Sequence, residues 1–161
     1  MPRIELTIEN RTRRRMDAKW LRGQLVGALR LMKIKGGTWD LVLVGDRAMA
    51  ELHGRTMGLP TTTDVLTFDM REGESGPLEL ETVICIDEAG RRAKELGHGL
   101  REEVLLYAVH SLLHVCGYDD VTKRCAAAMH RREDELLVAL GVGTVYAGKV
   151  RRSLSRKAAQ R

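Results

Sequence analysis

Apolar and polar residues alternate at the start of the chain, and the spacing then lengthens to that of a helix. Residues 4–8 alternate strictly, which is typical of a strand with one buried face. Apolar residues then recur every three or four positions over 21–32, behind Asp17 as a helix N-cap. A largely apolar run at 39–44 follows and predicts a buried strand. The chain therefore opens with a strand, a helix and a second strand.

The same changes of spacing continue to about residue 140. We predict a helix at 47–53, strands at 65–68 and 80–86, and helices at 87–96, 101–116 and 121–140. Gly54 is expected to end the first of these helices, and Asp87 is expected to cap the second. This order predicts the α+β class, with a single domain and one mixed four-stranded sheet packed with about five helices. We expect the early strands to pair in parallel and the last two to form an antiparallel pair at the sheet edge.

The charge of the chain says more about its binding partner than the overall composition does. The chain has 161 residues, of which 43% are hydrophobic, and this is enough for one domain with a real core. Its net charge of +5 is concentrated in basic clusters within 11–15 and 149–161, which favours a polyanionic partner such as RNA. Aromatic residues make up only 4%, so a platform for stacking bases is not expected. We predict a domain over 1–148 and a basic, flexible tail over 149–161.

The expected location follows from the apolar segments and the cysteines. No apolar run approaches the length of a membrane span, and the first residues lack the apolar core of a secretory signal. Cys85, Cys116 and Cys125 are odd in number and show no CxxC spacing, so we expect reduced thiols. Both observations predict a cytoplasmic protein.

Two histidines carry the strongest chemical signal in the chain. His110 and His114 lie four residues apart, so a helix places both imidazoles on one face before Gly117 ends it. Glu103 and Tyr107 fall in the same narrow stripe of the helix, while apolar residues occupy most of the rest. We therefore predict a helix that is buried on nearly all sides and whose polar stripe finds partners or lines a cleft.

The acidic pair after the glycine is expected to complete a metal site. Asp120 is the predicted third ligand, with His130 and Asp119 as alternatives, and Asp119 is assigned instead to orient an imidazole. Two imidazoles, one carboxylate and an open fourth position are typical of catalytic zinc, and the same set also suits Fe(II). Ser111 stands where the His-Glu-x-x-His motif of metallopeptidases has its general base, which argues against a peptidase.

A second segment with possible chemistry precedes the predicted edge strands. Arg55, just past a predicted helix end, could hold a phosphate with two parallel hydrogen bonds. Thr63 and Asp64 are expected to form a turn in which the carboxylate accepts from backbone amides. His53 and His98 are expected to be surface or capping residues.

These segments together resemble the YbeY family, the bacterial endoribonucleases of rRNA maturation. The stretch from His110 to Asp119 is similar to the family motif HGxLHLxGYDH, and residues 63–68 are similar to its TDVLSF segment. Arg55 and Glu103 stand where the family has an arginine and an acidic residue. The resemblance covers roughly 41–140, and the paired motifs make it specific.

The resemblance implies a single-domain α+β fold and a zinc ion held by three histidines, two of which would be His110 and His114. It also implies a single-strand-specific metallo-endoribonuclease that matures the 3′ end of small-subunit (16S) rRNA and takes part in late ribosome quality control. The implied partners are ribosomal RNA and the small ribosomal subunit, with no membrane and no DNA. Arg55 would be the catalytic arginine, which contacts RNA phosphate and stabilises its charge.

Three positions depart from the family pattern. The third family histidine is Asp120, the glycine after the first histidine is Ser111, and Glu81-Thr82 replaces Gly-Asp. Aspartate can ligate zinc, but its charge makes the ion a weaker Lewis acid and leaves room for another divalent transition metal. A second hypothesis therefore stays open: a ribosome-associated RNA-binding factor with a structural metal and little nuclease activity of its own.

Overall fold

Four strands and five helices make up the part of the chain that the computed structural model describes, residues 3–58, 63–73 and 75–143. The strands are β1 (Ile4–Asn10), β2 (Gly37–Val44), β3 (Val65–Asp69) and β4 (Leu78–Cys85). The helices are α1 (Ala18–Leu31), α2 (Asp46–Met57), α3 (Ile86–Leu96), α4 (Leu100–Val115) and α5 (Lys123–Ala139). The tail predicted at 149–161 lies outside the described residues. None of the described helices is long and apolar enough to cross a membrane.

The four strands form one mixed sheet in the order β1-β2-β4-β3. β1 pairs with β2 and β2 with β4 in parallel, while β3 pairs with β4 antiparallel at the edge. Parallel neighbours need a crossover connection, and α1 supplies it between β1 and β2. The predicted α+β class, the mixed sheet and the antiparallel pair at its edge are confirmed.

The central element of the fold is α4. Twelve of its 16 residues are buried, and it packs against β3, β4, α1, α3 and α5. The prediction of a helix buried on nearly all sides is therefore confirmed. Because neighbours hold this helix on so many sides, the polar side chains in its stripe are fixed in position. Each large apolar side chain that it buries contributes roughly 1.5–3 kcal/mol relative to an exposed one.

The prediction that Gly54 ends the helix at 47–53 is wrong. The helix α2 continues to Met57, and it ends at Gly58, which adopts the left-handed conformation with φ 72°. The backbone N–H of Gly58 donates to the carbonyl oxygen of Gly54, so Gly54 remains inside the helix. Glycine inside a helix costs only about 1 kcal/mol, whereas a left-handed C-terminal residue strongly favours glycine. Arg55 consequently lies on the last turn of α2 and not beyond it.

Asp87 does not cap α3, which begins one residue earlier at Ile86 and has no side-chain cap. The Asp87 carboxylate instead accepts the backbone N–H of Asp46 at 2.9 Å and the Nε–H of Arg14 at 2.9 Å. An acidic residue in the first turn still interacts favourably with the helix dipole. Asp87 therefore interacts with the N-termini of both α2 and α3. Its contact with Arg14 also holds the segment after β1 against these two helices.

Candidate metal centre

Three side chains converge where α4 ends. The Nε2 atoms of His110 and His114 are 3.2 Å apart. Asp120 places Oδ2 at 3.6 Å from Nε2 of His110 and Oδ1 at 3.8 Å from Nε2 of His114. Ligand atoms about 2 Å from one ion at tetrahedral angles lie roughly 3.3 Å from one another. The donor set and its spacing therefore fit one divalent transition-metal ion.

The turn after α4 brings the carboxylate back toward the histidines. Gly117 has φ 100°, a conformation that favours glycine, and the backbone N–H of Tyr118 donates to the Leu113 carbonyl at 3.0 Å. The Asp119 carboxylate then accepts the backbone N–H of Val121 at 3.2 Å and tightens the reversal. As a result the side chain of Asp120 is only 2% exposed. Asp119 is exposed and fixes this turn, so it is not the residue that orients an imidazole.

Glu133 on α5 orients the first histidine, and the sequence analysis did not single it out. Its Oε2 lies 2.5 Å from Nδ1 of His110, and both side chains are fully buried. A carboxylate accepts the Nδ1–H, so the ring presents the lone pair of Nε2 to the other ligands. A signal for it exists in the sequence, because Glu133 interrupts an apolar stripe formed by Met129, Leu136 and Leu137.

His114 is the most exposed of the three side chains. The side chains of His110 and Asp120 are 0% and 2% exposed, whereas that of His114 is 16% exposed. His114 lies in the wall of a groove of about 930 Å³ that is also lined by 33–36, 75–78 and 115–117, with Asp69 and Arg71. We call this cavity the ligand groove. The groove therefore borders the most exposed of the three residues.

Two of the departures from the family pattern meet beside the site. The Ser111 hydroxyl lies 2.8 Å from the hydroxyl of Thr82 on β4 and 2.9 Å from that of Thr67 on β3. Thr67 and Thr82 are directly paired across the two strands, and the Trp39 indole N–H donates to Thr82 at 2.9 Å. These hydroxyl contacts fasten α4 to the sheet next to His110.

The polar stripe of α4 continues away from the histidines into a buried network. Oε1 of Glu103 lies 2.5 Å from Nε2 of His98. Burial first, and then the charges of Glu103 and Asp64, raise the pKa of the Tyr107 hydroxyl far above its ordinary value. Tyr107 therefore stays protonated at any working pH and does not serve as a base. Asp64 is fully buried and accepts the backbone N–H of Val65 at 2.9 Å, as the predicted turn requires.

Two other residues of the second segment lie on α2. Arg55 is exposed on its last turn, and α2 packs against β4 and α3. The three proposed ligands are thus brought together within one site, while Arg55 is carried by a separate helix. The catalytic role of Arg55 stays a prediction. His53 was expected at the surface or in a cap, but it is fully buried, so that expectation is wrong.

The fold and the site together define a class: a single α+β domain with a His-His-Asp group that could hold a divalent ion and of which one member lines a groove. This is the arrangement that metal-dependent hydrolases use, because the ion is held by the protein on one side and open to substrate on the other. A family model described as Endoribonuclease YbeY matches residues 6–141, and the chain belongs to that family. The resemblance noted in the sequence is confirmed.

Relatives and one solved structure agree with this membership. The chain is 43% identical over 112 residues to an Endoribonuclease YbeY of Synechococcus, covering 66% of this chain and 70% of the relative. It is 32% identical over 144 residues to that of Chlorobium phaeovibrioides, covering 87% and 93%. The solution structure of TM1509 from Thermotoga maritima superposes with a TM-score of 0.61 at 21% identity, covering 89% of this chain and 97% of that one. The structural match supports the fold alone.

Proposed function

We propose that this chain is a zinc-dependent endoribonuclease that hydrolyses single-stranded RNA, with His110, His114 and Asp120 as the metal ligands. The proposed substrate is precursor 16S rRNA, whose 3′ end it matures in the cytoplasm on the small ribosomal subunit, and the same activity serves late ribosome quality control. One observation carries this proposal: three ligand atoms 3.2–3.8 Å apart, with the most exposed of the three residues, His114, lining an open groove, in a family of endoribonucleases.

Each side chain of the site has a distinct part in this proposal. A divalent ion, when bound, supplies a Lewis acid for a phosphoryl oxygen. Glu133 holds the His110 ring so that Nε2 faces the ligand cluster. His114 forms the exposed side of the cluster, from which the RNA phosphate enters. Arg55 stabilises the negative charge that builds on the attacked phosphate.

The proposal is tested on purified protein with a labelled single-stranded RNA and the same RNA in a duplex. We expect cleavage of the single strand, loss of cleavage after chelation, and recovery when Zn²⁺ is returned. Asp119→Asn is the matched control, because this neighbouring carboxylate is exposed and holds a turn. Cleavage that survives both chelation and His114→Ala would contradict the proposal.

The role of Arg55 has its own prediction. Removing a donor that stabilises transition-state charge typically lowers the rate by a factor of about 10²–10³. We expect Arg55→Ala to lose this much in single-turnover cleavage while its metal content stays that of the parent. Arg47→Ala, which removes an exposed arginine from the first turn of the same helix, should cleave normally. A rate for Arg55→Ala equal to the parent's would remove Arg55 from the mechanism.

The aspartate favours one second candidate, a ribosome-associated binding factor whose metal is structural. A carboxylate in place of an imidazole lowers the net charge of the centre, which weakens the ion as a Lewis acid. Stoichiometric metal and tight rRNA binding without cleavage, under every divalent metal tried, would favour this candidate. In cells, accumulation of 3′-extended 16S precursor that the parent rescues and His114→Ala does not would support the endoribonuclease.

A further inference from the structure

The ligand groove carries more positive charge than the metal site explains. Among the residues that the structure describes, the charged lining consists of the cations Lys33, Lys35 and Arg71 and the carboxylate of Asp69. Glu72, in the turn beside it, is exposed and does not belong to that lining. His114 belongs to the same lining, so the cations lie around a cavity that is bordered by one of the three proposed ligands. An anionic chain lying in this groove would pass these side chains next to His114.

Arg71 is held by hydrogen bonds beside the C-terminal end of α4. Its Nε and Nη2 donate to the two carboxylate oxygens of Asp69 at 2.8 and 2.6 Å, and Nη2 also donates to the Val115 carbonyl at 3.1 Å. The side chain is only 14% exposed, so its position is set before any ligand arrives. Asp69 offsets the charge of this arginine, and the pKa of Asp69 is lowered mainly by the same hydrogen bond. Within the described lining, the positive charge beyond this pair therefore lies on the two lysines.

Lys33 occupies a backbone position that normally belongs to glycine. Its φ is 58°, the left-handed conformation, and no other non-glycine residue in the described part of the chain has a positive φ. The backbone N–H of Lys33 donates to the Arg30 carbonyl and that of Ile34 to the Leu29 carbonyl, which is the hydrogen-bond pattern of a helix that ends in a left-handed residue. A left-handed lysine is uncommon, and here it places an exposed, charged side chain in the lining of the groove.

We infer that the ligand groove binds the sugar-phosphate backbone of single-stranded RNA, with Lys33 and Lys35 contacting phosphates next to the one at the metal. This inference rests on the proposed function and adds the residues that hold the substrate. The groove's volume of about 930 Å³ is that of a site for a ligand of several hundred daltons, which suits a few nucleotides of one strand. The lining residues that the structure describes include no Trp, Tyr or Phe, so binding follows phosphates and is independent of base sequence.

The test compares the double variant Lys33→Gly/Lys35→Ala with the parent and with Lys19→Ala/Lys94→Ala, a control that removes two exposed lysines elsewhere. Glycine at 33 keeps the left-handed backbone, so the fold is retained, and the melting temperature checks this. Binding of fluorescein-labelled oligouridylate and oligoadenylate is measured by anisotropy on ice, with gel analysis to verify intact RNA. The same proteins are then assayed for cleavage.

We expect the groove variant to bind both oligonucleotides at least about tenfold more weakly than the parent in moderate salt. Its salt dependence should be shallower by roughly 0.7 log units per decade for each lost phosphate contact. The Michaelis constant for cleavage should rise while the turnover number stays within about twofold, since these residues hold substrate away from the reacting phosphate. The control should match the parent in every readout.

The failures of the two proposals are distinguishable. A parent that cleaves RNA beside a groove variant with unchanged affinity and salt slope would overturn the groove assignment and leave the proposed function standing. A parent that neither binds nor cleaves single-stranded RNA would overturn both. Displacement of bound RNA by an acidic peptide such as polyglutamate, as effectively as by unlabelled RNA, would identify the groove as a peptide site and overturn the assignment.

Discussion

At the scale of single residues, Glu133 decides how the first histidine meets a metal. The carboxylate fixes the tautomer and the ring orientation of His110 from a helix that is distant in sequence. Glu133→Gln should weaken metal affinity about 10- to 100-fold, because the amide fixes the ring less well than the carboxylate. Competition with a chelating dye measures this affinity. Glu135→Gln, an exposed glutamate on the same helix, is the control, and equal affinities in all three proteins would contradict the assignment.

The hydroxyl contacts of Ser111 explain two departures from the family pattern as one local arrangement. Ser111→Ala removes a partner from the buried Thr82 hydroxyl, and we expect a loss of about 1–3 kcal/mol in the free energy of unfolding. Thr82→Val should cost a similar amount. The double variant should lose less than the sum, because the contact between Ser111 and Thr82 is then lost only once, while Thr67 and Trp39 lose a partner in the single and double variants alike. Urea titration of the four proteins measures the coupling, and strict additivity would show that the two side chains act independently.

At the scale of helices and strands, the sequence pattern predicted the features that depend on residues close together along the chain. It predicted the five helices and four strands of the described part of the chain, and the stripe on α4 that carries His110 and His114. Helix ends that depend on the backbone conformation of a single residue were harder to predict, as Gly54 and Gly58 at the end of α2 show. Both glycines can end a helix, and only the packing of the helix around them decides which one does so.

The ion pair between Asp46 on α2 and Arg91 on α3 predicts how the stability of the fold changes at low pH. Arg91 donates two hydrogen bonds to Asp46, at 2.7 and 2.8 Å, and the hydrogen bond from Arg91 is the main reason that the pKa of Asp46 is lowered. A lowered pKa means that the pair stabilises the fold above the ordinary value of 3.8. That stability is lost as the pH falls through the lowered value.

The expected size of this effect is small, because both side chains are about half exposed. Their side-chain exposures are 52% for Arg91 and 41% for Asp46, so the pair contributes less than about 1 kcal/mol. Asp46→Asn should lower the urea midpoint at pH 6 and differ less from the parent near pH 2. The check is a series of urea titrations between these values. A difference that grows as the pH falls would have the wrong sign for this explanation.

At the scale of the whole molecule, contacts between residues far apart in the sequence could not be predicted from the sequence pattern. The sequence predicted His110, His114 and Asp120 as a set because they lie within one short segment, and the structure brings them together. The contact of His110 with Glu133 joins residues 23 positions apart, and the groove joins segments from three parts of the chain. Burial of His53 likewise follows from how α2 packs. Such features depend on tertiary packing, which periodicity does not specify.

The central claim is that two imidazoles and one carboxylate hold a single divalent ion. Mass spectrometric metal analysis of the purified parent protein, beside His114→Ala and the control Asp119→Asn, tests it most directly. We predict close to one metal ion per chain in the parent and in the control, and little in His114→Ala. A parent protein that carries no metal and takes up none from solution, or a His114→Ala protein that retains the parent's content, would contradict the account.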